Sequence, residues 1–223
     1  MGAKDWMMFY ADEHVSTVLR ARPSLDRAAT ERLVTELFPR RAVTPIDDVT
    51  MLYGDPPDDE VYAAVWPGAT VVCTGEVGLD RPSTLDRRFL EAGAGRTVYL
   101  HAMHSVVGWS CFALWEPGGQ LRRSLSASPD DGVIEDIGEP LAFEKPFWAG
   151  EHPAIDPEEE DDEDDPFPLP FDPMELGEEA LASLFGFVYE GGPSNTETVD
   201  PDDIPLAAFK LTGRTRSWFG RRG

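Results

Sequence analysis

The sequence predicts an α+β fold, a mainly antiparallel sheet with a meander, packed against two or three helices. Three observations predict it. Apolar residues before residue 150 recur mostly with period two, two segments carry helical stripes bounded by capping residues, and Pro/Gly-rich turns separate the strand-like runs. With 223 residues, 41% of them hydrophobic, the chain is long enough to bury a sizeable core. The expected unit is a single α+β domain over 1–212.

Trp6 to Ala11 reads as the first strand. Ser24 is the expected N-cap of a helix in which Leu25, Ala29, Leu33 and Leu37 fall four apart, until Pro39 ends it. Val61 to Trp66 and Thr70 to Thr74 flank Pro67-Gly68, the chemistry of a hairpin turn. Pro82 to Ala92 is a short helix candidate. Thr97 to Ala102, Val106 to Trp115 and Gln120 to Ser126 form a three-strand meander, and the middle run is apolar on both faces, as a central strand is. Beyond it, Asp130-Asp131-Gly132 and Glu135 to Pro140 read as acidic loops. Asp172-Pro173-Met174-Glu175 sets an acceptor, a proline and a glutamate where a helix begins, and Gly186 suits its left-handed end. The stripe Leu176, Ala180, Leu181, Leu184 and Phe185 packs this helix back on the sheet. Ile204 to Leu211 is expected as an edge strand.

Charge sharpens the organisation. The formal net charge is −23, from 42 acidic and 19 basic residues. An excess of this size opposes binding to phosphate backbones and anionic lipid, so nucleic-acid and membrane partners are not expected. Much of the excess lies in Glu158-Glu159-Glu160-Asp161-Asp162-Glu163-Asp164-Asp165, whose mutual repulsion extends the backbone. Prolines flank it, so 151–171 reads as an acidic Pro-rich loop. Residues 213–223, with Arg214, Arg216, Arg221 and Arg222, read as a flexible basic tail. No signal-type N-terminus and no apolar run near 20 residues is present, so a cytoplasmic location is expected. Cys73 and Cys111 then remain reduced, acting as buried small hydrophobes.

Few residues offer chemistry. His101 and His104 lie three apart on one strand, so their side chains point to opposite faces and share an ion only if a turn begins at Met103 to Ser105. A hydrogen-bonded structural histidine is the simpler reading. Cys111 with either histidine would make a nucleophilic pair, but its apolar neighbours Trp109, Phe112 and Trp115 oppose a thiolate. Gly93-Ala94-Gly95-Arg96-Thr97 lacks the lysine and spacing of a phosphate loop, and no nucleophile elbow surrounds Ser105 or Ser110. No cofactor is implied. A cleft formed by Lys4, Asp5, Trp6 and Tyr10 with Trp66, Trp109, Trp115 and Trp148 competes with the simpler reading of those aromatics as core, while the acidic loops after the meander could ring a pocket mouth. Glu158 to Asp165 lacks the Gly and Asn that turn a calcium loop. It reads as a solubilising run or, as a site, as an acidic surface for a basic protein partner.

The segments MGAKDW at 1–6, VVCTG at 71–75, RTVYLHAMHSVV at 96–107, DDGVIEDIGEPLAFE at 130–144 and PFWAGEHP at 146–153 together resemble an uncharacterised actinobacterial protein family of unknown function. The resemblance spans residues 1 to about 187 and implies no activity, cofactor or catalytic residue. The layout is also similar, more loosely, to small α+β immunity-type proteins that neutralise toxins by binding. With no catalytic motif found, the leading expectation is a cytoplasmic protein-binding or interaction protein with an acidic surface, an immunity-type role being the form that the looser likeness implies. The alternative is a small-molecule enzyme or metal-binding protein using His101 and His104.

Overall fold

The computed structural model describes residues 3–12, 14–93, 95–154, 168–190 and 198–213. The strands are β1 (Lys4–Ala11), β2 (Ala42–Pro45), β3 (Val49–Thr50), β4 (Glu60–Trp66), β5 (Ala69–Cys73), β6 (Thr97–His104), β7 (Trp109–Trp115), β8 (Leu121–Ser128), β9 (Gly132–Ile137) and β10 (Pro205–Thr212). The helices are α1 (Val15–Arg20), α2 (Arg27–Leu37), α3 (Arg87–Ala92), α4 (Lys145–Trp148) and α5 (Pro173–Phe185). All ten strands join one sheet in the order β2–β10–β4–β5–β1–β6–β7–β8–β9, with β3 on β10, and every pairing is antiparallel. The broad expectation, an α+β fold dominated by an antiparallel sheet, holds.

Alternation along the strands divides the core. On one face, Met7, Phe9, Cys73, Tyr62 and Met103 meet Val15, Val18 and Leu19 of α1 and Leu181 and Phe185 of α5. Phe185 stacks on Phe9 with ring centroids 4.6 Å apart, a contact worth about 0.5–1.5 kcal/mol beyond area burial. On the other face, Met8, Tyr10, Val72, Leu100 and Cys111 meet Val34 and Leu37 of α2 and Phe89 of α3. The helices near 24–38 and 173–186 therefore cover opposite faces of the sheet.

Helix ends follow local chemistry. Asp172 accepts from the Met174 amide at 2.7 Å, Pro173 opens α5, and Gly186 closes it at φ +81, as its residues dictate. In α2 the cap is Asp26, accepting from the Ala29 amide at 2.9 Å, and Ser24 lies outside the helix. A carboxylate two residues nearer the apolar stripe wins over the hydroxyl.

Three expectations need correction. Ile204 to Leu211 becomes β10, which is no edge strand: it runs between β2 and β4, and its core residues Leu206, Ala208 and Phe209 are buried. The acidic stretch after the meander contains a fourth meander strand, β9, because Val133, Ile134 and Ile137 alternate loosely enough with carboxylates to pair with β8. Val106 and Val107 belong to a 3₁₀ turn over Ser105–Val107, ended by Gly108 at φ +63, so β7 starts at Trp109. Within 151–171, Leu169 and Phe171 are buried, and Phe171 packs edge-on against Phe147 and Trp148.

A buried ion cluster fastens β9. Arg123 on β8 is wholly buried; its Nε and Nη2 donate to the buried Glu144 carboxylate, and its Nη1 donates to Asp136 and to the carbonyls of Ile137 and Gly138. On the opposite face, Glu135 accepts from the Ser83 amide at 3.0 Å and from the Ser83 and Ser124 hydroxyls. Both faces of the last strand are thus tied down.

Candidate functional site

The register of β1, β6 and β7 brings three rings together at one end of the sheet. Trp6 faces the α2/α3 side with Met8 and Tyr10; His104 closes β6 and pairs with Trp109, the first residue of β7. Trp6 and His104 lie nearly parallel, at 10°, with centroids 6.1 Å apart, and Trp109 tilts against Trp6 at 5.8 Å. Gly78 presses on the Trp6 ring so closely that a Cβ there would lie 2.7 Å from Cε3. Trp109 is oriented by its indole N–H, which donates to Ser126 Oγ at 3.2 Å. His104 Nδ1 is buried and has no hydrogen-bond partner among the described residues.

These rings wall a cleft of about 280 Å³ whose rim carries Asp80, Asp130 and Asp131, all exposed. Ser128 Oγ accepts from the Asp131 amide at 3.1 Å and so fixes the hairpin that holds the two aspartates. Among the described residues, no Lys or Arg lines the cleft. Ring faces present negative potential and the carboxylates add formal charge, so the arrangement favours an organic cation with an apolar stem. Trp6 already shows this preference: Lys4 Nζ sits 5.2 Å from its ring centroid while pairing with Asp55 at 3.7 Å.

A second polar group lies on the opposite face. His101 and Asp5 are wholly buried, with Nδ1 2.9 Å from Asp5 Oδ1 and Nε2 3.0 Å from the Gly177 carbonyl of α5. A carbonyl only accepts, so Nε2 carries a proton; a further proton lies between Asp5 and Nδ1. Burial pushes the Asp5 carboxyl up, and the neighbouring His101 ring opposes that rise. Gly177 permits the approach, since a Cβ there would stand 3.1 Å from Ser110 Cβ. Glu178 beside it, raised by burial, accepts from the amides of Tyr189 and Glu190. This group fastens α5 to the sheet.

The family model described as Family of unknown function (DUF6928) matches residues 5–209. The chain belongs to that family. The match agrees with the resemblance to an uncharacterised family and extends past residue 187 to Phe209, within β10. It contains the whole cleft and both members of the Asp5–His101 pair. Comparison with curated proteins and with solved structures gave no match.

Within this DUF6928 chain the two histidines do not meet. The turn follows His104 rather than Met103, so strand alternation holds: His101 points to α5 and His104 lines the cleft. Among the described residues, no three His, Cys, Asp or Glu side chains are grouped to hold a metal ion. Cys111 and Cys73 are buried free thiols, and burial drives both well above the ordinary thiol range, so neither supplies a nucleophile. Of the aromatics expected around a cleft, Trp6 and Trp109 form it, with Asp130 and Asp131 at its mouth. Trp115 lies in the core and Trp148 donates to Glu144 instead. Glu158 to Asp165 and Arg214 to Arg222 lie outside the described residues.

Proposed function

We propose that the protein is a recognition module, not a catalyst, and that its cleft binds the cationic group of a partner. The observation that supports this reading is the wall of Trp6, His104 and Trp109 facing three rim carboxylates, with no Lys or Arg among the described residues that line the cleft. It places the contact with a basic partner at this cleft rather than at Glu158 to Asp165, which lie outside the described residues. The strongest acid–base candidate, His101, has both ring nitrogens engaged under α5, and the thiols are buried, so these groups do not reach a bound substrate. A cytoplasmic setting belongs to the same proposal; two free buried thiols are compatible with a reducing compartment. Among the described residues no helix is long and apolar enough to cross a membrane.

A cation–π contact of about 0.5–2 kcal/mol and exposed carboxylate contacts of about 0.2–1 kcal/mol each sum to a weak, millimolar-class affinity for an isolated cation. Calorimetric titration of N-acetyl-arginine amide and N-acetyl-lysine amide tests this. Saturable binding is expected that weakens with salt and is lost in Trp6→Leu and in Asp130→Asn/Asp131→Asn. Equal heats from wild type and both variants would refute the cation reading.

A further inference from the structure

The cleft does not end at its rim. A groove of about 370 Å³, lined by Asp80, Arg81, Asp131, Val133 and Ile134, shares Asp80 and Asp131 with it and continues onto β9. β9 is the last strand of the sheet, and among the described residues no strand pairs with its outer edge. Val133 and Ile137 on it are each 40% exposed. The opposite edge differs: β2 has four residues and ends in Pro45, features that discourage an added strand.

We infer that the β9 edge and the groove beside it take an extended basic segment of a partner protein, which adds a strand to β9 and turns an arginine or lysine side chain toward Asp80 and Asp131, the carboxylates that the groove shares with the cleft. This rests on the cation reading above and names the partner that the same site receives. Three features carry it. An open edge offers unpaired amides and carbonyls to an incoming strand, whose alternate side chains then point into neighbouring pockets. The edge is also stiff before binding, since Arg123 and Glu135 hold β9 from both faces, so little ordering remains to be done on association. Charge selects the occupant. Asp80, Asp130 and Asp131 outweigh the single Arg81, and a second copy of this acidic chain at the same edge would set carboxylates against carboxylates.

The test compares three probes on the full chain: N-acetyl-arginine amide, the blocked pentapeptide Thr-Val-Arg-Val-Thr, and the same peptide N-methylated on alternate backbone amides. Affinity is read by calorimetry and amide hydrogen exchange is followed across 132–137. The peptide is expected to bind at least tenfold tighter than the blocked amino acid, to slow exchange in β9, and to lose both effects on N-methylation. Ile137→Lys, at an exposed position on β9 that lines neither the cleft nor the groove, is expected to weaken the peptide while sparing N-acetyl-arginine amide. If the amino acid binds and the peptide binds no tighter and protects nothing, strand addition is wrong and the cation reading stands. If neither binds, both fall. Protection of 132–137 that rises with protein concentration in the absence of peptide would assign the edge to a second copy and overturn the proposal.

Discussion

Replacing Arg123 by methionine tests how β9 is held to the rest of the sheet. The substitution keeps the apolar stem and removes the guanidinium, which leaves the Glu144 carboxylate wholly buried with only the Leu141 amide at 2.7 Å and the Trp148 indole N–H at 3.4 Å. Asp136 is about half exposed and rehydrates, so the penalty falls on Glu144. Breaking a buried pair from one side is worth about 3–5 kcal/mol, and a domain of this size shifts by about 2–4 °C per kcal/mol, giving a fall in Tm of about 6–20 °C. Urea denaturation and calorimetry measure it. The double variant Arg123→Met/Glu144→Leu, which leaves no stranded charge, is expected to recover to within about 1 kcal/mol of wild type. A single variant within about 1 kcal/mol of wild type, or a double variant no better than the single, would refute the reasoning.

Other expectations follow from the same structure. Gly78→Ala drives a Cβ to 2.7 Å from Trp6 Cε3, so cation affinity should fall severalfold while Tm, with Gly78 only partly buried, moves by less than about 4 °C; unchanged affinity would show that the Trp6 ring is not seated by Gly78. For Asp5, the folded carboxyl is raised above its unfolded value of 3.8, so the folded state holds the proton longer and stability is lost as pH rises through that window. Asp5→Asn should therefore gain relative to wild type as pH climbs from about 4, read by Tm at successive pH values, and a difference that is flat with pH would contradict it. Both thiols should resist a thiol reagent in the native protein and react fully in denaturant, giving two equivalents only after unfolding; fast native reaction would show an accessible Cys73 or Cys111.

What the sequence revealed depended on how local the cause was. The start and end of α5 are written in Asp172-Pro173 and Gly186, and the hairpin of β4 and β5 in Pro67-Gly68, because caps and turns are settled by neighbours. β10 looked like an edge because its position between β2 and β4 is fixed by pairing across about 150 residues, which no local pattern encodes. The cleft was half legible. Trp6, Trp109 and the aspartates at 130 and 131 stood out as residues, but only the register that sets His104 opposite Trp109, and the approach of Gly78, turned them into one site. Arg123 gave no signal in the run Arg122-Arg123-Ser124. Its burial follows from strand parity, which turns it toward Glu144 while Arg122 stays in solvent.

The claim that the Trp6/His104/Trp109 cleft recognises a cation is tested most directly by following the side-chain indole N–H signals of the six tryptophans by NMR while N-acetyl-arginine amide is titrated to saturation. The account expects the Trp6 and Trp109 signals to shift together along one saturation curve while Trp66, Trp115 and Trp148 stay in place. Shifts spread over all the indoles, or none at Trp6 and Trp109, would contradict it.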